Sequence, residues 1–350
     1  MVTEKGPESS MRIIDGAAGE GGGQILRTAL SLAMCVRQPV RVVNIRSRRA
    51  RPGLRRQHLT AVQAAAQLAK GHVEGAEIGS REIIFTPGAV APGEYRFAIG
   101  TAGSTTLVFQ TLLPVLLTAA APSRLILEGG THNPLAPPFE FLQQAFLPLI
   151  NRLGPQVEAR LERYGFYPAG GGRWLADIQP CERLQPLQLT DRGALLARKA
   201  IAICADLPEH IARRELQTVA ERLRWSDQEL EARILPPGSG PGNCLHLVIQ
   251  SQHVTEVFTG FGERGVRAET VAERTVQRSQ RYLAADVPVA EHLADQLLLP
   301  LALAGGGEFV TLPPSPHAVT NMAVIRRFLA VNFAVEALTP ARWRVRVSRT

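Results

Sequence analysis

"DGAAGEGGGQILRTALSLAMCV", Asp15 to Val36, sets a glycine-rich turn against an apolar run whose pattern recurs twice more along the chain. A turn of this kind usually holds phosphate, because free backbone N–H groups at a helix start face an anion and the helix dipole favours negative charge. The two commonest phosphate motifs are excluded. A P-loop ends in Gly-Lys-Ser or Gly-Lys-Thr, and this stretch has no lysine. A dinucleotide-binding turn needs an acidic ribose-binding residue about 20 residues on, after a second strand, whereas "RVVNIRSRRAR" following Val40 is basic.

The recurrence decides the architecture. "QILRTALSLAMCV" from Gln24 has counterparts in "STTLVFQTLLPVLLT" from Ser104 and "EHLADQLLLPLALA" from Glu291. Each is followed by a break and a short strand ("VRVVNI", "RLILEG", "EFVTL"), then by a loop and a second helix ("RRQHLTAVQAAAQLA", "PPFEFLQQAFLPLINRLG", "AVTNMAVIRRFLA"). Alternating residues in "REIIFTPG", "QVEARLERYG" and "RWRVRVS" predict closing strands. The first two copies lie about 80 residues apart and the third begins much later, so the excess is an insertion. It runs from about Pro186 to Ala284 and carries the strand candidates "LLARKAIAICADL" and "CLHLVIQS", the helix candidates "HIARRELQTVAERLRW" and "VRAETVAERTVQRSQRYLA", and the turn-rich "PPGSGPGN". The expected fold is α/β (α+β): three repeated α/β units over residues 1–185 and 285–350, with an inserted smaller α+β domain over 186–284.

A chain of 350 residues with 45% hydrophobic residues can bury a large core. No apolar run reaches the roughly 20 residues of a membrane span. The polar start "MVTEKGPESS" has no signal-peptide apolar stretch and reads as a tail of a cytoplasmic protein. Cys35, Cys181, Cys204 and Cys244 stand far apart without C-x-x-C spacing, which argues against a structural zinc site or a disulfide framework and for a reducing compartment. The net charge is +8, and of the 39 basic residues only Lys5, Lys70 and Lys199 are lysines. Arginine grips phosphate bidentately, which suits a nucleotide or nucleic-acid partner; a codon bias from lysine to arginine explains the ratio equally well. Aromatic residues make up only 5%, so base stacking does not dominate recognition.

Four clusters carry candidate chemistry, each weighed against a plainer role. A helix starting near Gly23 aligns Gln24, Arg27 and Ser31 on one stripe with Glu20 just before it, a set suited to a triphosphate and its divalent ion, or simply a tight turn beside a solvent-facing arginine. "IRSRRARPGLRRQH" holds Arg46, Arg48, Arg49, Arg51, Arg55, Arg56 and His58; so many cations in one loop repel one another unless a polyanion is bound, the alternative being a solvated basic loop. In "SPHAVTNMAV", prolines stiffen the approach to His317, a helical run starts near Ala318, and Thr320 and Asn321 are available to fix the imidazole tautomer. A neutral imidazole there can attack phosphorus, though a lone histidine is more often a packing or capping residue. In "EHLADQ", His292, Asp295 and Gln296 share one helix face that can read a purine and ribose or simply face solvent. His132 and His253 compete for the catalytic role, and no H-E-x-x-H pair is present.

"DGAAGEGGGQILRTALSLA", "RPGLRRQHLTAVQAA", "YRFAIGTAGSTTLVFQTLLP", "GGTHNPLAPPFEF", "GFYPAGGG", "EHLADQLLLPLALAGGGEF" and "HAVTN" together resemble, in order from Ile13 onward, the RNA 3′-terminal phosphate cyclase family. The resemblance implies three units like the C-terminal domain of translation initiation factor three with a smaller inserted domain. It implies ATP-dependent conversion of an RNA 3′-phosphate to a 2′,3′-cyclic phosphate with a divalent metal, magnesium or manganese. It makes His317 the residue that takes AMP, Glu20 the metal residue, and Gln110 with His292, Leu293, Ala294, Asp295 and Gln296 the AMP pocket. Arg27, Arg46, Arg49, Arg56 and His58 become phosphate and RNA contacts. The expected partner is RNA with a 3′-phosphate end, without a membrane, and a homodimer stays open. Two rivals remain: a non-catalytic branch of the same family acting in ribosome assembly, which should lack the histidine, and an enolpyruvyl transferase, which should show six units.

Overall fold

The computed structural model describes residues 11–238 and 240–350. The polar N-terminal tail and Ser239 of the turn-rich stretch lie outside them.

Sixteen strands form four four-stranded sheets among these residues. The first contains β1 (Arg12–Asp15), β2 (Val40–Val43), β3 (His72–Glu74) and β4 (Ile83–Thr86), with α1 (Gly23–Val36) and α2 (Arg56–Leu68) between its strands. The second contains β5 (Glu94–Ala98), β6 (Ser123–Gly129), β7 (Gln156–Arg163) and β8 (Gly172–Gln179), with α3 (Thr105–Leu116) and a continuous helical segment made of α4 (Phe139–Phe141), a π turn (Leu142–Phe146) and α5 (Leu147–Asn151). The third joins β9 (Leu187–Leu189) to β14 (Gly306–Thr311), β15 (Val331–Thr339) and β16 (Arg342–Arg349), with α8 (Glu291–Ala304) and α9 (Pro316–Arg326). In each of these sheets the first strand pairs parallel with the second, and the last two strands form an antiparallel hairpin closing on the second.

The fourth sheet has the order β11 (Leu230–Ile234), β10 (Leu195–Ala205), β12 (Gly242–Ser251), β13 (Thr255–Phe261), covered by α6 (His210–Leu223) and α7 (Ala268–Ala285). Leu187–Leu189, counted above with the inserted segment, belongs to the third sheet instead, because β9 pairs with β14 in parallel. The strand is only three residues long, too short for an alternating pattern to reveal it.

The helices of the first three sheets pack on one another. α1 touches α2, α3 and α9, and α8 touches α3 and α9. The sequence makes α1 suited to this place: Leu26, Ala29, Leu30, Leu32 and Ala33 are each at most 1% exposed, and small alanines let neighbouring helices approach. Burying each leucine contributes about 1.5–3 kcal/mol. Central packing of α1 brings its N-terminal turn against the N-terminus of α9, although the two lie far apart in sequence. No helix among the described residues is long and apolar enough to cross a membrane.

Candidate active site

The start of α1 has no side-chain cap. Gly22 is the N-cap residue, extended at φ −95° and ψ −172°, and the first turn carries no acidic residue. Its N–H groups therefore stay available for an anion. The glycines also allow close approach: a Cβ on Gly22 would collide with Glu20 Oε2, and one on Gly23 with His58 Nε2.

α9 arrives opposite. Its helix begins at Pro316, not near Ala318, because Pro316 takes the first helical position and the Ser315 hydroxyl accepts from Ala318 N at 3.1 Å. His317 thus stands in the first turn with its side chain half exposed. Its Nδ1 lies 3.2 Å from Gln24 Oε1, while Gln24 Nε2 lies 2.7 Å from both carboxylate oxygens of Asp295. An ionised carboxylate only accepts, so Gln24 turns its NH2 to Asp295 and its oxygen to the imidazole. The His317 Nδ1–H then donates to Gln24, which leaves Nε2 as a lone pair.

Asp295 is itself held firmly. Asn321 Nδ2 donates to its Oδ1 at 3.1 Å and its backbone oxygen at 3.2 Å, and Asn321 Oδ1 accepts from the Thr28 hydroxyl at 2.9 Å. Burial raises the Asp295 carboxyl pKa, opposed by Gln24, His317, Asn321 and Arg27. Thr320 and Asn321 do not fix the imidazole tautomer as expected. Thr320 Oγ1 accepts from Glu20 N at 3.1 Å and donates to Pro316 O at 2.8 Å, and Asn321 acts on Asp295. Ser31, placed with Gln24 and Arg27 on the polar stripe, is buried and donates to Thr111 O across the α1–α3 contact.

Glu20 Oε1 pairs with Arg49, while Oε2 is buried without a hydrogen-bond partner and lies 3.7 Å from His317 Nδ1. A single hard oxygen of this kind fits magnesium or manganese, which keep several waters and phosphate oxygens among their ligands. Burial lowers the Arg27 pKa to about 10, with Asp295 opposing, so it remains a cation beside the turn. His58 is pushed down to about 3 by burial and by Arg27, Arg46 and Arg55. It is therefore neutral, and since Nδ1 accepts from Arg55 N at 3.2 Å, Nε2 carries the proton toward Gly23.

The remaining expected phosphate residues divide. Arg46 spends one guanidinium nitrogen on the carbonyls of Arg51 and Gly53, at 2.8 and 2.9 Å, and so braces its own loop. Arg56 is exposed, as are Arg48 and Arg51, and among the described residues none of the three pairs with a carboxylate. The run from His292 to Gln296 is less open than its sequence suggested. Leu293 and Ala294 are 0% and 4% exposed, and Asp295 faces Gln24, leaving His292 and Gln296 reachable. His292 borders a shallow cleft lined also by Phe258, Arg278, Arg281 and Glu291. Gln110 lies on α3, and its buried Nε2 has no partner.

Neither competing histidine is placed here. His253 sits exposed between β12 and β13 with Nδ1 3.1 Å from Asp191 O. His132 is fully buried and bonded to Glu140. Thr28 completes the cluster without having been singled out in the sequence, and Gln24, Thr320 and Asn321, noted there, take partners other than those expected. Gln24 stood on the polar stripe, but its orientation depends on Asp295 from another unit.

The profile of the RNA 3′-terminal phosphate cyclase family matches residues 18–335. The chain is 51% identical over 331 residues to an RNA 3′-terminal phosphate cyclase of Koribacter versatilis (strain Ellin345), covering 94% of this chain and 93% of that one. It is 54% identical over 326 residues to one of Pseudomonas fluorescens, covering 93% and 94%. It is 54% identical over 325 residues to one of Ralstonia nicotianae, covering 93% of each. Among solved structures, EPSP synthase from Acinetobacter baumannii aligns over 97% of this chain and 63% of its own at 11% identity and a TM-score of 0.28, too distant to bear on the reading.

Proposed function

Because the chain belongs to the RNA 3′-terminal phosphate cyclase family, we propose that it uses ATP to convert an RNA 3′-phosphate into a 2′,3′-cyclic phosphate, with His317 as the residue that carries AMP. The observation that supports this most is the chain from Asp295 through Gln24 to His317 Nδ1, which presents the Nε2 lone pair as nucleophile. Nε2 attacks the α-phosphorus of ATP, the bond to the bridging oxygen breaks, and pyrophosphate leaves. An oxygen of the RNA 3′-phosphate then attacks the same phosphorus and frees the imidazole. Finally the neighbouring 2′-hydroxyl attacks the 3′-phosphorus, loses its proton to solvent, and displaces AMP.

Around these steps the residues divide the work. Arg27, the His58 Nε2–H and the uncapped N–H groups of α1 neutralise charge on the triphosphate. Glu20 would hold a divalent cation that lowers the charge on the departing pyrophosphate. Gln110, His292 and Gln296 would contact the nucleoside, and Arg49, Arg56 and the braced loop around Arg46 the RNA end.

The same reading extends to the architecture: three copies of one unit, with the fourth sheet inserted between β9 and α8. The shared strand order supports it, as does a proline four residues after a glutamine in both α3 (Gln110, Pro114) and α8 (Gln296, Pro300).

Intact-mass spectrometry after incubation with ATP and magnesium, without RNA, tests the central step. One AMP on the wild type and none on His317→Ala supports it. No adduct on wild type that binds ATP would favour the non-catalytic branch, and an adduct on the variant would move the chemistry to another residue.

A further inference from the structure

Apart from the residues of the α1–α9 junction, four metal-ligating side chains meet where the second unit touches the fourth sheet. His132 comes from the loop after β6, Glu140 from α4, and Cys244 and His246 from β12. Residues two apart on a strand share a face. Cys244 packs with the main core, while its neighbour Leu245 packs with α6 and α7 on the opposite face. His132, Cys244 and His246 are each 0% exposed and Glu140 4%.

The donor atoms converge. Cys244 Sγ lies 3.4 Å from His246 Nε2, which lies 3.5 Å from Glu140 Oε2, which lies 2.5 Å from His132 Nε2. Ligand atoms of the two histidines and the cysteine all fall within 4.8 Å of one another. Tetrahedral zinc with bonds of about 2.0–2.3 Å sets its ligand atoms roughly 3.3–3.8 Å apart, which two of these separations already match. The other ring nitrogens are engaged: His132 Nδ1 is 2.8 Å from Thr131 Oγ1, and His246 Nδ1 is 2.8 Å from Thr259 Oγ1. Thr131 Oγ1 accepts from Gly165 N at 2.9 Å and donates to Gly165 O at 3.4 Å, leaving a lone pair for the His132 Nδ1–H. At 2.5 Å His132 Nε2 and Glu140 Oε2 share a proton, which zinc would displace as the ring takes up the Nδ1–H tautomer facing Thr131.

Charge leads the same way. Among the described residues no lysine or arginine pairs with Glu140, whose only ion-pair partners are His132 and His246. A buried carboxylate requires a compensating cation. A divalent ion held by one carboxylate, one thiolate and two neutral imidazoles forms a neutral centre, the form that full burial favours.

We infer that His132, Glu140, Cys244 and His246 form a structural zinc site that clamps the fourth sheet to the second unit. With four protein ligands and no open position it is not a catalytic centre. Zinc replaces the Cys244 thiol proton, which passes to solvent, while both imidazoles bind neutral through Nε2. Ligands from both bodies require loading as the chain folds and the bodies dock. The spacing of the cysteines argued against such a site because its ligands form two short pairs more than a hundred residues apart.

Elemental analysis of the full, untagged chain, prepared without chelators in zinc-supplemented medium, should find about one zinc per chain. X-ray absorption at the zinc edge should show one sulfur beside nitrogen and oxygen. Refolding from denaturant with zinc should give a higher Tm than refolding with chelator. Thr259→Val, which leaves all four ligands intact, should weaken zinc binding by about 10–100-fold, and Cys244→Ser should remove the sulfur signal. Less than about a tenth of an equivalent of zinc together with no Tm difference on refolding would overturn the site. So would bound zinc without a sulfur neighbour, or a sulfur signal that survives Cys244→Ser. None of these readouts depends on RNA cyclisation.

Discussion

Gln24 joins two units of the fold: its oxygen faces His317 Nδ1 at 3.2 Å and its nitrogen faces Asp295 at 2.7 Å. The imidazole is thereby given a tautomer by a residue from the opposite helix, and that tautomer is what makes Nε2 nucleophilic.

Gln24→Leu should slow self-adenylation roughly 10- to 100-fold, the effect of losing about 1.5–3 kcal/mol of charge-linked hydrogen bonding. Single-turnover incorporation of labelled ATP measures it. An unchanged rate with an intact fold would mean that Glu20, 3.7 Å from the same nitrogen, sets the tautomer instead.

Ser315→Ala removes the hydroxyl that accepts from Ala318 N, and should cost about 1 kcal/mol in urea unfolding. Because His317 occupies the first turn that this cap organises, adenylation should fall by more than an equally destabilising substitution in the fourth sheet causes.

His58 supplies a pH signature. Its folded pKa, about 3, lies below the unfolded value of 6.5, so between these values the unfolded chain binds the extra proton. Its contribution is fully present above about pH 6.5 and is lost as pH falls toward 3, on the order of 5 kcal/mol over the whole window. His58→Asn keeps an acceptor near the Arg55 N–H but does not titrate. Melting curves from pH 7.5 to 4.5 should show the wild type's advantage shrinking on acidification; a constant difference would contradict a buried neutral imidazole.

The arginines should separate into two behaviours. Arg56→Ala should weaken RNA binding across sequences and reduce the slope of log affinity against log salt by about 0.7, the value for one contact to single-stranded phosphate. Arg46→Ala should instead lower Tm, because it strips the carbonyls of Arg51 and Gly53 of their donor. Equal salt slopes for Arg56→Ala and wild type would take Arg56 out of the RNA path.

Local structure and the chemical vocabulary were legible in the residues alone. Period and composition place α1, β2, α2, α3, α6, α7 and α8 where they are found, because apolar stripes and strand alternation follow from nearby residues alone. The glycine turn, the arginine loop and His317 were equally legible, since each is a contiguous motif. Short strands such as β3 and β9 were not, because three residues hold too little pattern to stand out, and pairing with a distant strand is what makes them strands. Which groups meet was settled by packing between distant segments. It set Gln24 between Asp295 and His317, assigned Asn321 to Asp295 instead of the imidazole, turned Leu293 into the core, and drew His132 and Glu140 to Cys244 and His246. Those contacts join residues that helix packing brings within a few ångströms, and no sequence period encodes the distance between two surfaces that meet only when the chain is folded.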